Sequence, residues 1–166
     1  MTADGDLRQH YAPTGRLRVA LNHGNRVLVG RDENSAPRGI AVELAKALAQ
    51  ELDLSLSFVE FERAVDVSSS AQEDLWDVCF LAVDPKRATT IDFTNPYVRI
   101  EGSYLAASNC TARNSTELVA SCATIGSIVG TAYSLRLETL TGAENLRHYR
   151  DIDALLAALD AGEVPA

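Results

Sequence analysis

The reading of the fold turns on Trp76-Asp77-Val78-Cys79-Phe80-Leu81-Ala82-Val83-Asp84-Pro85-Lys86-Arg87, followed by Ala88-Thr89-Thr90-Ile91-Asp92-Phe93-Thr94-Asn95-Pro96-Tyr97. The apolar run from Val78 to Val83 has the length of a buried strand and is too short for an ordinary helix. A strand therefore ends near Asp84. Asp84 suits a cap and Pro85 the first helical position, so a short helix or turn follows and carries Arg87. Ile91 and Phe93 alternate with polar residues up to Asn95-Pro96, which predicts a second short strand closed by a turn. A guanidinium is thus projected just beyond the carboxyl end of a buried strand, where open α/β sheets place their ligands.

Two roles fit Arg87 on these grounds. Its planar fork can hold both oxygens of a carboxylate through paired, charge-assisted hydrogen bonds, which a lysine cannot copy. Alternatively it is a solvated residue paired with Asp84 or Asp92.

Upstream, residues 1–16 are polar and end in Pro13-Thr14-Gly15, which predicts a leader or a poorly ordered first turn. Leu17 to Leu21 alternates as a first strand, broken by Asn22-His23-Gly24-Asn25. Turn chemistry and ligand contact are both open to Asn22 and Asn25. His23 has no partner motif and reads as a loop residue. After Gly39, the residues Ile40, Leu44, Ala47, Leu48 and Leu52 fall near one face at helical spacing, which predicts an amphipathic helix with that stripe in the core. Ser55 to Phe61 alternates strictly as a second strand. From Glu62 to Asp74 an apolar face is available to a helix, but Ser68-Ser69-Ser70 predicts a short or irregular one.

Downstream, Val98 to Ala107 reads as extended, and Ser115-Thr116-Glu117 as a helix start. Ala123 to Val129 predicts a strand, and Gly130-Thr131-Ala132-Tyr133 a turn into a helix through about Leu140. A Gly-Thr turn there offers N–H groups and a hydroxyl to an anion, and an ordinary helix cap uses the same residues. Leu146 to Tyr149 predicts a short strand, and Asp151 to Gly162 an amphipathic helix ended by glycine.

Composition narrows the partners. The 166 residues suit one mid-sized domain or two small lobes, with a hydrophobic fraction of 46% and a formal net charge of −8. That acidic balance argues against nucleic acid and anionic membrane, both of which need a basic face, and favours a small soluble ligand. Cys79, Cys110 and Cys122 have no zinc spacing, so neither a metal nor any other cofactor is expected. Cys79 reads as a small core residue, while Cys110 and Cys122 could bridge in an oxidising compartment. No run has the roughly 20 apolar residues of a membrane span, so no membrane insertion is expected. The first residues are unlike a signal peptide, which leaves either a mature exported form or a cytoplasmic protein.

The order strand, Asp84-Pro85-Lys86-Arg87, Ile91-Asp92-Phe93-Thr94, Pro96-Tyr97 resembles the signature segment of the type II periplasmic binding proteins, in the branch called bacterial extracellular solute-binding proteins, family 3. The resemblance covers about Leu17 to Gly162. It implies an α/β fold of two lobes, here 17–103 and 104–166 after the leader. The implied function is that of a substrate-binding protein for an amino acid or related small carboxylate. It further implies a periplasmic location and an ABC transporter permease as partner. In the family the arginine matched by Arg87 binds the ligand's α-carboxylate, and the threonine matched by Thr131 helps from the other lobe. The backbone groups at the positions of Phe80, Leu81 and Ala82 face the ligand, and the loop holding Asn22 and Asn25 lines the pocket. That loop commonly carries an acidic residue and an aromatic ring, both missing here, which argues against a strongly cationic ligand.

The resemblance also implies that complete members continue beyond Ala166. The second lobe is accordingly expected to be incomplete, with open edges that a homodimer or an exchanged element would cover. Two other functions share the fold: an enzyme like the cyclohexadienyl dehydratases, and a ligand-sensing or interaction module. The three histidines are scattered and no acid is placed for proton transfer, so no catalytic residue is expected.

Overall fold

In a computed structural model of the chain, residues 3–121, 123–140 and 143–166 are described. The chain divides into two compact units, residues 1–93 and 94–166.

The first unit is built around one strand. After a helix α1 (Ala3–Tyr11), β1 (Arg16–Asn22) pairs in parallel with β4 (Ser55–Phe61), in register from Arg16 opposite Ser55 to Asn22 opposite Phe61. On its other side β1 pairs in parallel with the two-residue β5 (Val78–Cys79), giving the strand order β4-β1-β5. A central parallel strand is covered on both faces, and Leu17, Val19 and Leu21 are fully buried. Each such side chain contributes about 1.5–3 kcal/mol by leaving water. A small hairpin of β2 (Gly30–Arg31) and β3 (Pro37–Arg38) leads into α2 (Ile40–Glu51), which covers one face. Gly39 makes that entry possible. Its φ of +119° lies in the region that favours glycine, and a Cβ there would run into the Leu28 carbonyl. A short helix α3 (Ala64–Ser69) buries Val67.

Within residues 1–16, read as a leader or a poorly ordered first turn, residues 3–11 form a helix; Arg8 reaches Asp53 at 3.4 Å, and Ala12 just behind it is buried. The structure corrects the predicted pattern at three places. Helix α2 turns a different face inward: Ala41, Val42, Ala45 and Ala49 are buried, while Ile40 and Leu44 are 50% and 39% exposed. Small residues let the helix lie close to the sheet, so size did not select the buried face. The strand expected through Val83 ends at Cys79, and Val83 is exposed. No strand forms at residues 91–93; Ile91 is instead drawn under by its N–H donating to the Arg87 carbonyl at 3.0 Å.

In the second unit, α4 (Ser115–Ala120) starts at Asn114, whose Oδ1 accepts from Glu117 N at 2.9 Å, while the Glu117 carboxylate accepts from Arg113 N at 2.8 Å. The first is an ordinary side-chain N-cap, and the second ties the residue before the cap to the helix's third residue. Strand β6 (Ile125–Ile128), α5 (Ala132–Leu137), β7 (Leu146–Tyr149) and α6 (Ile152–Asp160) follow, with β6 and β7 parallel from Ile125 opposite Leu146 to Ile128 opposite Tyr149. Val164 is fully buried, and the carbonyls of Pro165 and Ala166 accept from Ala107 N and Gly126 N, each at 2.8 Å. The segment after α6 thereby joins residues distant in sequence. Cys79 and Cys110 carry free thiols. Cys122 lies outside the described residues, and the Cys110–Cys122 bridge that an oxidising compartment would allow lies there with it. Among the described residues no helix is long and apolar enough to cross a membrane, and no cluster of His, Cys, Asp or Glu is arranged to hold a metal.

Candidate functional site

The segment that carries Arg87 is anchored before it begins. Asp77 is gripped by Arg18 of β1: Arg18 N donates to Oδ2 at 2.8 Å, Nε to Oδ2 at 3.1 Å and Nη2 to Oδ1 at 2.7 Å. In return Asp77 N donates to the Arg18 carbonyl at 2.8 Å. A second carboxylate, Asp74, takes Arg18 Nη2 at 2.7 Å. Asp77 first, then Asp74, holds the Arg18 guanidinium above its ordinary proton affinity. This grip fixes the entry into β5, which has only two residue pairs of its own with β1.

Past Cys79 the chain leaves the sheet. Phe80 and Leu81 are half-buried and Ala82 is exposed. Asp84, buried, closes the turn by accepting from Lys86 N at 2.9 Å and Arg87 N at 3.4 Å. Arg87 then opens a 3-10 turn, Arg87–Thr89. The residue is only 4% exposed, and its Nη1 donates to the Ala82 carbonyl at 3.0 Å. Burial pulls the guanidinium's proton affinity down, against the attraction of Asp84. Burial likewise pushes the Cys79 thiol up to about 12, with Arg87 opposing it.

Asn22 ends β1 and is buried, its Oδ1 accepting from Gly24 N at 3.1 Å. Asn25 Oδ1 accepts from Val27 N at 3.3 Å, and its carbonyl accepts from Leu28 N and Val29 N. Both side chains shape the turn in this structure. Because β1 and β5 pair in parallel, the Asn22 end of β1 and the Phe80–Ala82 segment emerge at the same end of the sheet, and Arg87 touches the latter. Thr131 belongs to the second unit. There its Oγ1 donates to the Ile128 carbonyl at 2.8 Å and accepts from Ser134 N at 3.2 Å, capping α5.

One constellation escaped sequence reasoning. His23, read as a lone loop residue, places Nε2 2.7 Å from Glu60 Oε2, and Arg31 Nη1 lies 2.8 Å from the same oxygen. The signal was available in the pairing: β1 and β4 run side by side with Leu21 opposite Glu60, so a residue two places on returns to the same face. The second unit also has a cavity of about 380 Å³ lined by Asn109, Cys110, Thr111, Glu117 and Ser121 among others, and none of the sequence-predicted residues lines it.

The sequence matches the bacterial extracellular solute-binding proteins, family 3, over residues 17–163, and the chain belongs to that family. A search of curated proteins found no match. Solved structures share the fold. An ancestral amino acid-binding protein described as a precursor of cyclohexadienyl dehydratase is 18% identical, with a TM-score of 0.73 over 99% of this chain and 72% of that one. Holo ArgBP from T. maritima is 19% identical, with a TM-score of 0.70 over 96% of this chain and 70% of that one. An ancestral arginine-binding protein bound to arginine is 18% identical, with a TM-score of 0.70 over 91% and 68%. The type II periplasmic-binding-protein fold is therefore the fold of this chain.

Proposed function

We propose that the chain is a substrate-binding protein for an amino acid or a related small carboxylate, and not an enzyme. It would serve an ABC uptake system outside the cytoplasmic membrane, handing its ligand to a permease. Family membership over residues 17–163 carries this reading. The solved proteins of this fold named for binding amino acids or arginine support it. In this proposal Arg87 takes the ligand carboxylate, backbone groups of Phe80, Leu81 and Ala82 line its bed, Asn22 and Asn25 border it, and Thr131 meets it from the second lobe. The lobes, 17–103 and 104–166, would close on it by a hinge. In this structure Arg87 is only 4% exposed and its Nη1 donates to the Ala82 carbonyl, so the guanidinium has to turn outward to take the ligand.

The test is a thermal-shift screen of the twenty common amino acids and small carboxylates, followed by titration of whatever raises the melting temperature. Arg87→Lys keeps the charge and loses the fork, so affinity should fall about 100-fold. A chain stabilised by none of these compounds, or an Arg87→Lys protein that binds at full strength, overturns the assignment. Turnover of prephenate or arogenate would favour the dehydratase instead.

A further inference from the structure

The loop that leaves β1 is held in an unusually complete way. Its backbone is tied to β4 by His23 N donating to the Phe61 carbonyl at 2.8 Å. Gly24 packs so close to the exit of β4 that a Cβ would stand 2.8 Å from the Glu62 carbonyl oxygen and 3.1 Å from Asn22 Oδ1. The His23 side chain, only 8% exposed, then reaches Glu60 Oε2 at 2.7 Å, and Arg31 from β2 reaches the same oxygen at 2.8 Å. One carboxylate thus joins three pieces of chain: the loop after β1, the end of β4 and the β2–β3 hairpin.

We propose that His23 is a positioning residue for ligand binding, clamped through Glu60 to Arg31 so that the loop carrying Asn22 and Asn25 stays fixed at the carboxyl end of the sheet. The inference rests on the binding function proposed above, with those asparagines bordering the ligand. The imidazole itself does not touch the ligand. Its Nε2–H to a carboxylate is a charge-assisted bond, and its ring is nearly enclosed, so removing it releases the loop instead of merely exposing a surface group. Loop order is then supplied before the ligand arrives, and affinity depends on a residue outside the pocket.

The experiment compares wild type, His23→Ala and His23→Gln by hydrogen exchange and by affinity for any of the twenty common amino acids that stabilises the wild type. In His23→Ala the amides of residues 23–29 should exchange about tenfold faster while those of β1 stay near their wild-type rates, and affinity should drop about tenfold. Glutamine can donate to Glu60 from its amide, so His23→Gln should recover most of both. If His23→Ala does not fold, Glu60→Ala, which removes the oxygen that His23 Nε2 reaches, should show the same paired loss. A wild type that binds while His23→Ala binds equally well, or loses affinity with no change in loop exchange, overturns the positioning role alone. A wild type that binds none of the amino acids overturns the binding function and this inference together, whatever the loop amides do.

Discussion

Replacing Asp77 by alanine should weaken the first unit in a way that can be worked out from contacts at its edge. The wild-type carboxylate accepts from Arg18 N, Nε and Nη2, and its side chain is 5% exposed. Breaking a buried pair by removing one partner costs about 3–5 kcal/mol, because the surviving charge is left uncompensated. Arg18 keeps Asp74 and is 17% exposed, which lowers the figure, while its backbone N–H loses its acceptor, which adds about 1 kcal/mol. The expected loss is about 3 kcal/mol. Trp76, the chain's single tryptophan, adjoins Asp77 and donates to Ser70 Oγ at 3.0 Å, so its fluorescence reports this unit. With a urea slope of about 1.5 kcal/mol/M, the midpoint should fall by about 2 M. A double-mutant cycle with Arg18→Leu isolates the pair and should return a coupling of about 2 kcal/mol. A midpoint shift below about 0.5 M with negligible coupling would refute the idea that this grip holds β5 to β1.

Two further outcomes follow from the same unit. Gly39→Ala should cost about 2–4 kcal/mol, since it combines an unfavourable φ with a collision against the Leu28 backbone; calorimetry should show a clear drop in melting temperature. Cys79 should make stability decline in alkali. Its thiol is pushed up to about 12 in the fold. Between the ordinary thiol range near 9 and that value the unfolded chain has released the proton and the native chain has not, so stability falls by as much as about 1.4 kcal/mol per pH unit as pH rises. Denaturation midpoints from pH 8 to 11 should show the slope, and Cys79→Val should flatten it.

The sequence disclosed the scaffold where a period was clean and one face was plainly apolar. Ser55 to Phe61 alternates and is β4; Leu146 to Tyr149 is β7; the glycine-led helix begins at Ile40; and Asp151, with its side chain accepting from Ala154 N, starts α6. Where packing overrode hydrophobicity, the reading slipped. In α2 alanines were the better neighbours for a sheet, and Ile40 and Leu44 were left outside. In residues 78–83 the apolar run outlasts the strand: pairing with β1 stops at Cys79, and the chain has left the sheet before the Asp84 turn begins. Helix α1 has little apolar periodicity to announce it. Arg87 could be placed beyond a strand from sequence, but its burial and its bond to the Ala82 carbonyl depend on a turn that composition does not specify. His23 lacked any local partner because Glu60 is 37 residues away and Arg31 belongs to another element; the β1–β4 pairing supplies the first, and the placing of the β2–β3 hairpin supplies the second.

The order in which strands meet β1 bears on how the protein is made. Everything needed for β1, its covering helix and β4 has been synthesised by residue 61, whereas β5 is completed only at Cys79. A nascent chain emerging from the ribosome can therefore close its first parallel pair early, keeping one flank of the middle strand open for a later arrival. Stalling translation at successive lengths and probing with protease should show protection appearing in two steps, the second only after Asp77 has cleared the exit tunnel.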